Sequence, residues 1–425
     1  MNVLSRAYAK KKDEEDLLAP FRDQFLIPNH NGRQAIYFCG NSLGLQPNSF
    51  KEYILEEQKV WANHGVNAHF ESKRPWMNFH EFIINGLTHV TGALASELAI
   101  MNALTVNLHL LFTSFYRPKG NRTKILMEKN AFSSDIFMIS THLEARGFNP
   151  NEVIVYLEPD EETQIISTEQ ISDSIKELGE SLSIVFLGGT NFYSGQHFDI
   201  PSITRQAHDV GALAGFDLAH TIGNIPLQLH DWEVDFASWC SYKYLNSGPG
   251  AVSSVFIHEQ HAKNTQTPRY GGWWGQPDEI KFGVNTTFAP LPTAGGWQAS
   301  NEPIFNMIGL MASLEIFESA NINALRRKSI QLTSYLEELL LEIDPHMKCF
   351  KIITPNDQDA RGCQLSLWFK KDGDLVFEAL NKTHVVADFR RPSVIRISPT
   401  PLYNSFEDIF NFFKIFNAII KKLFS

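Results

Sequence analysis

The sequence predicts an α/β fold, a mostly parallel sheet with helices on both faces, followed by a smaller α+β unit. Three observations predict it. From about residue 95, short apolar runs alternate with segments of helical spacing, the order that parallel βαβ crossovers require. Near residue 300 this alternation gives way to two long helical segments and then a group of strands. The composition is that of an ordinary globular chain, with 43% hydrophobic and 20% charged residues among 425 and with Gly and Pro at average usage.

The elements follow in order. LAIM (98–101) is a short strand. LTVNLHLLFTSF (104–115) has helical spacing and breaks at Pro118, and TKILME (123–128) suits a strand. SDIFMISTHLEARG (134–147) reads as a helix ended by Gly147, then EVIVYL (152–157) as a strand. TEQISDSIKELGE (168–180) reads as a helix opened by a Thr cap, and LSIVFLGG (182–189) as a buried strand. ITRQAHDVG (203–211) is a helix with Gly211 at its C-terminal cap, followed by the strands ALAGFD (212–217), VDFASW (234–239) and AVSSVFIH (251–258). Beyond residue 300, PIFNMIGLMASLEIFESA and ALRRKSIQLTSYLEELLLEI are long helices. CQLSLWF, HVVADFR and VIRISP are strands, and 406–424 is a closing amphipathic helix.

Charge and cysteine usage narrow the function classes. Against 37 basic residues stand 47 acidic ones, a net charge of −10, which argues against a nucleic-acid or acidic-membrane partner. The basic run Lys10–Lys12 is cancelled at once by Asp13–Asp16. No C-x-x-C pair, secretory signal or membrane-length apolar stretch is present, so the expectation is a soluble, reduced, cytoplasmic protein.

In open α/β sheets ligands gather at the carboxyl ends of the strands. There, ALAGF ends in Asp217, with His220 three residues on, and VDFASW runs into Cys240-Ser241-Tyr242-Lys243. A lysine amine forms a Schiff base with the aldehyde of pyridoxal phosphate, and a carboxylate facing the pyridine nitrogen keeps it protonated. The same pair also reads as a turn cap and a surface amine. Thr105, between a strand and a helix, offers a hydroxyl and a backbone N–H to a phosphate, or simply caps the helix. Phe132 could stack on a flat ring and Ser133 and Ser134 could donate to a phosphate, or they are a core aromatic beside a serine cap. Rival motifs fail: there is no P-loop, no G-x-S-x-G elbow and no H-E-x-x-H, and His258-Glu259-Gln260-His261 has the wrong spacing for two metal ligands on one helix face.

The stretches YFCGNSLGLQP (37–47), HFESKRPW (69–76), MNALTVNLH (101–109), AFSSD (131–135), GFDLAH (215–220), DFASWCSYKYLN (235–246), GGWWG (271–275), ASNEPI (299–304) and IRISPTPLYNSF (395–406) resemble the kynureninase family, in that family's order. The resemblance implies a fold type I pyridoxal-phosphate enzyme with an N-terminal segment (1–60) packing on the small domain, a large cofactor-binding domain (61–300) and a small C-terminal domain (301–425). It implies hydrolytic Cβ–Cγ cleavage of kynurenine or 3-hydroxykynurenine in tryptophan catabolism, by a homodimer with its site at the interface.

Site roles come by the same resemblance. Lys243 is similar to the Schiff-base lysine; beside the resemblance, Tyr242 next to it is the candidate for assisting a proton transfer. Asp217 is similar to the carboxylate on the ring nitrogen, with His220 beside the ring. Phe132 matches the stacking aromatic within the segment Phe132, Ser133, Ser134 and Asp135. Leu104, Thr105, Tyr242 and Trp273 match phosphate contacts, Trp273 from across the interface. Asn301 matches a residue near cofactor and substrate, and Arg396 the grip on the substrate carboxylate. His69, Ser300 and Asn301 resemble the pattern that favours 3-hydroxykynurenine. Gly188 and Gln276 depart from the family's pattern. The alternatives are a cysteine desulfurase or class V aminotransferase, for which Cys363 would be the thiol to test, and a cofactor-binding relic acting as an interaction module.

Overall fold

The computed structural model describes residues 2–284 and 286–424. Seven strands build the central sheet: β1 (Leu98–Ile100), β2 (Lys124–Glu128), β3 (Ile154–Leu157), β4 (Leu182–Gly188), β5 (Leu213–Asp217), β6 (Phe236–Trp239) and β7 (Ser254–Ile257). Their order across the sheet is β3-β2-β4-β5-β6-β7-β1. Strands β2 to β6 are mutually parallel, and β7 runs antiparallel to both its neighbours. Residues of β4, β5 and β6 are buried on both faces, as a sheet covered by helices requires.

The elements match the expected order, with local corrections. The helix Thr168–Leu178 is capped by Ser167, whose Oγ accepts the Gln170 N–H at 3.1 Å, and not by Thr168. The helix expected at 203 begins at Ile200, because Asp199 caps it and Pro201 fits its first turn. β3 is shorter than the apolar run, since Asn149 and Pro150 start a helical turn across Pro150–Val153. HVVADFR splits in two. Val385–Val386 pairs in parallel with Ile36–Tyr37, and only Asp388–Arg390 joins the small sheet.

That sheet is antiparallel, with β8 (Phe350–Ile352), β9 (Leu365–Phe369), β10 (Asp388–Arg390) and β11 (Val394–Ile397) in the order β8-β9-β11-β10. The helix Ile304–Ala320 sends Met307, Leu310, Leu314 and Phe317 into the core of the large sheet. Leu332, Leu336 and Leu339 of the helix Ile322–Ile343 pack in a second core with β9, β11 and the closing helix Phe406–Phe424. The N-terminal helix Arg6–Glu14 packs on this second unit, and Asp13 accepts the N–H groups of Phe406 and Glu407 at 2.7 and 2.9 Å, capping the closing helix. No helix among the described residues is long and apolar enough to cross a membrane.

The segment 37–47 runs beneath the loop after β6. Gly44 donates its N–H to the Tyr242 carbonyl at 2.8 Å, and a Cβ there would collide with the Asn246 side chain and the Lys243 carbonyl. Backbone cannot yield as a flexible side chain does, so Gly44→Ala is expected to cost about 3 kcal/mol, measured as a lower urea midpoint. An unchanged midpoint would mean that this approach is looser than described.

Candidate active site

Parallel strands deliver their last residues to one edge. β2 ends at Glu128, β4 at Gly188 and β5 at Asp217, and Asp217 lies in register with Gly188 and Ser238. The loop after β6 returns Lys243 to the same place. These residues line one cavity of about 620 Å³, together with Leu104, Thr105, Phe132, Ser134, Asp135, His220 and Tyr242.

Inside it, Lys243 Nζ lies 2.8 Å from His220 Nε2 and 5.8 Å from the centre of the Phe132 ring. Burial, with the charges of Lys243, Arg396 and Arg390, holds the His220 imidazole far below its ordinary pKa, so it is neutral and accepts from the lysine. Asp217 accepts the Ala219 N–H at 2.8 Å and hydrogen-bonds Asp135. Burial raises both carboxyls. Lys243 and Ala219 pull Asp217 back down, while the charge of Asp217 raises Asp135 further, so the proton of the pair sits on Asp135. Glu128, buried beside them, is pushed up to about 8 by desolvation, against the N–H of Gly188.

At the other end, the helices Leu104–Phe115 and Ser133–Ala145 begin side by side, and Thr105 Oγ1 and Ser134 Oγ are 2.7 Å apart. Two helix N-termini with paired hydroxyls form an anion cradle. Ser133 is exposed beside it and does not reach the cavity.

Other predicted residues stand elsewhere in this chain. His69 and Asn301 line a separate cavity of about 320 Å³ with Trp61, Trp76, Trp274 and Phe305. Ser300 is exposed next to Asn301, and Trp273 is 42% exposed against Trp274. Arg396 is fully buried just behind the Lys243 cavity. Its Nε donates to Asp388 at 2.9 Å, its Nη1 to the Phe192 carbonyl at 2.8 Å and its Nη2 to Ser42 at 3.1 Å.

Comparison with known proteins bears on what this site is. Residues 325–416 match the family described as kynureninase C-terminal domain. A kynureninase from Flavobacterium psychrophilum is 46% identical over 409 residues, 96% of each chain. The chain belongs to the kynureninase family. A kynureninase from Nematostella vectensis is 41% identical over 447 residues, spanning all of this chain and 96% of its own. Among solved structures, a cysteine desulfurase from Thermococcus onnurineus NA1 matches with TM-score 0.75 at 17% identity over 92% of this chain and 95% of its own. The desulfurase CsdA from Escherichia coli matches with TM-score 0.77 at 16% identity over 96% and 99%. At these identities the two structures show a shared fold.

The cofactor of the kynureninase family fits the residues present. Asp217 is a buried carboxylate aimed into the cavity with one backbone partner, which suits a protonated pyridine nitrogen. The paired hydroxyls suit a phosphate, Phe132 offers a ring face, and Lys243 stands between the two ends.

Sequence reasoning passed over several residues of the cavity wall. Asn41 and Ser42 lie in the quoted GNSLGL stretch, and Glu128 closes a strand whose end faces the site. Asn306 and Arg390 gave no signal of their own. Asn41 Oδ1 is buried without a hydrogen-bond partner among the described residues. Of the two departures, Gly188 donates to Glu128, and a side chain there would press on Glu128 Oε1 at 3.0 Å. Gln276 is buried away from the Lys243 cavity, where its Oε1 accepts the Ala289 N–H at 3.3 Å.

The His258–His261 stretch divides between two carboxylates: His261 Nε2 sits 2.6 Å from Asp235, and His258 joins Glu97 and His230. His258 Nδ1 accepts the Gln260 N–H, which puts the ring proton on Nε2 and leaves no lone pair there for a metal.

Proposed function

We propose that the chain hydrolyses the Cβ–Cγ bond of L-kynurenine and 3-hydroxy-L-kynurenine, giving L-alanine with anthranilate or 3-hydroxyanthranilate, and that it prefers the hydroxylated substrate. The observation that carries this reading is the convergence of Lys243, Asp217, His220 and Phe132 on one cavity, in a chain 46% identical to a kynureninase over nearly its whole length. When bound, pyridoxal phosphate supplies an aldehyde that condenses with amines and a ring that takes up electrons from a breaking bond.

The chain's own residues supply the rest. Asp217 holds a proton at the ring nitrogen, and Thr105, Ser134 and Tyr242 hold the phosphate. Lys243 would move the proton at the substrate Cα, with neutral His220 as its hydrogen-bond partner. Tyr242 assists a second proton transfer. Arg396 orients the substrate carboxylate from behind the cavity.

His69, Ser300 and Asn301 bind the ring hydroxyl, and a site with polar groups placed for that hydroxyl disfavours the analogue lacking it. These residues reach a substrate in a homodimer, where Trp273 of the partner subunit and Asn301 of the partner subunit complete each site. The exposure of Tyr270 (65%), Trp273 (42%) and Phe282 (64%) on one short segment supports a covered face there. Four free cysteines accord with work in a reducing cytoplasm.

Incubation with kynurenine and with 3-hydroxykynurenine tests the reading. Equimolar alanine and fluorescent aryl acid are expected, with the larger kcat/KM for the hydroxylated substrate. A yellow protein that releases neither aryl acid would sink it.

A desulfurase needs a thiolate above the cofactor, and Cys363 does not supply one. It is fully buried, its N–H is held by Asn224 at 3.0 Å, and burial pushes its thiol up to about 12. Cys363→Ala is therefore expected to keep kynurenine turnover within about threefold, as a volume-reducing core change away from the reacting groups should. Sulfide release from cysteine that disappears in this variant would favour the desulfurase instead.

A further inference from the structure

We propose that Arg390 is a second carboxylate-binding residue of this site, sharing Asp388 with Arg396. The inference rests on the reading above only in taking the ligand to be an α-amino acid.

The argument begins with Arg396. A guanidinium has five N–H donors. On Arg396, Nε faces Asp388, one Nη1 hydrogen goes to the Phe192 carbonyl, and Nη2 is shared between Ser42 and the second oxygen of Asp388, 2.9 Å away. One donor is left, on a side chain with no exposure. Asp388 grips it with both oxygens, so its charge is already balanced. The Ser42 hydroxyl is spent as well, donating to Asp388 at 2.7 Å.

Arg390 is placed differently. It forms part of the wall of the Lys243 cavity, and its side chain is 36% exposed. It lies over the Phe192 ring, 5.9 Å from its centre, and the same ring packs edge-on against Phe132, 5.4 Å away. Its only acceptor among the described residues is Asp388, which takes one Nη2 hydrogen at 3.2 Å. Its Nε sits 3.0 Å from the other Asp388 oxygen without a hydrogen-bond alignment.

Charge decides between the two. Asp388 carries one negative charge and stands between two guanidiniums. Burial would raise it, but the hydrogen bond and charge of Arg396, with Ser42 and Arg390, hold it below its ordinary value, so it stays ionised. With Arg396 alone, an incoming carboxylate would meet a neutral pair in a cavity whose wall also carries the Asp217 carboxylate. With Arg390 added, the cluster keeps one surplus positive charge, and that charge is the one with free donors facing the cavity. Beside Phe192, the Nη1 hydrogens and the second Nη2 hydrogen have no partner among the described residues, which leaves them for a carboxylate.

The holoenzyme tests this without kynurenine. L-Alanine carries the carboxylate and L-alaninamide does not, and binding of either is followed by the change in the cofactor's visible absorbance. Arg390→Gln is expected to weaken L-alanine by about tenfold or more, the scale of a lost charge-assisted pair, while L-alaninamide changes less than twofold. Arg390→Lys is expected to recover part of the loss, because it restores the charge without the fork. With kynurenine, KM should rise by the same factor while kcat stays within about threefold. Arg390→Gln protein that binds L-alanine as well as the unaltered enzyme, or that loses both ligands equally, overturns the proposal. Failure of the kynurenine reading is seen separately, as an unaltered enzyme that binds L-alanine and releases no aryl acid.

Discussion

Lys243→Ala is expected to lower kcat for kynurenine by more than about a thousandfold and to abolish the visible absorbance of the lysine-bound cofactor. Two losses combine in that variant. The amine that joins the cofactor is gone, and so is the base at Cα, since no other amine lines the cavity among the described residues. The measurement is aryl-acid release together with an absorbance spectrum. A small primary amine added to the variant should restore part of the rate. Borohydride reduction and peptide mass analysis of the unaltered protein should tag the peptide containing Lys243. Turnover near the starting level without added amine would remove Lys243 from the mechanism.

Asp217→Asn is expected to lower kcat by about a hundred- to thousandfold while leaving the urea midpoint of the apoprotein near its starting value. The amide has the shape of the carboxylate and still accepts the Ala219 N–H. It lacks the charge that holds a proton at the ring nitrogen. Asp135 does not take over, because burial, the first cause that keeps its proton on, remains in the variant. Steady-state kinetics and chemical denaturation separate the two effects. Equal losses of rate and of stability would mean that Asp217 serves the fold rather than the chemistry.

Much of this arrangement could be read from the chain. The sheet was legible because each buried parallel strand is a short apolar run between helices, as in LSIVFLGG and ALAGFD, and because such strands must end at one edge. That edge located Asp217 and Lys243 before any contact was known. Boundaries were less legible where a cap competes with propensity, as Ser167 does with Thr168 and Asp199 with the apolar run after it.

The wall residues Arg390 and Glu128 were hidden for another reason. Glu128 meets the N–H of Gly188 on another strand, and Arg390 shares its neighbour Asp388 with Ser42 and Arg396, of which Ser42 comes from the other end of the chain; no local period encodes such pairings. His69 and Asn301 were placed by likeness alone. In one chain they form a cavity of their own, so only a second copy would give them the role assigned above.

Ser42 meets Asp388 and Arg396. Nearly the whole polypeptide must leave the ribosome before those three can touch. Nascent chains halted short of residue 388 should carry Lys243 and yet lack a finished carboxylate clamp, making amino-acid recognition one of the last properties acquired during synthesis.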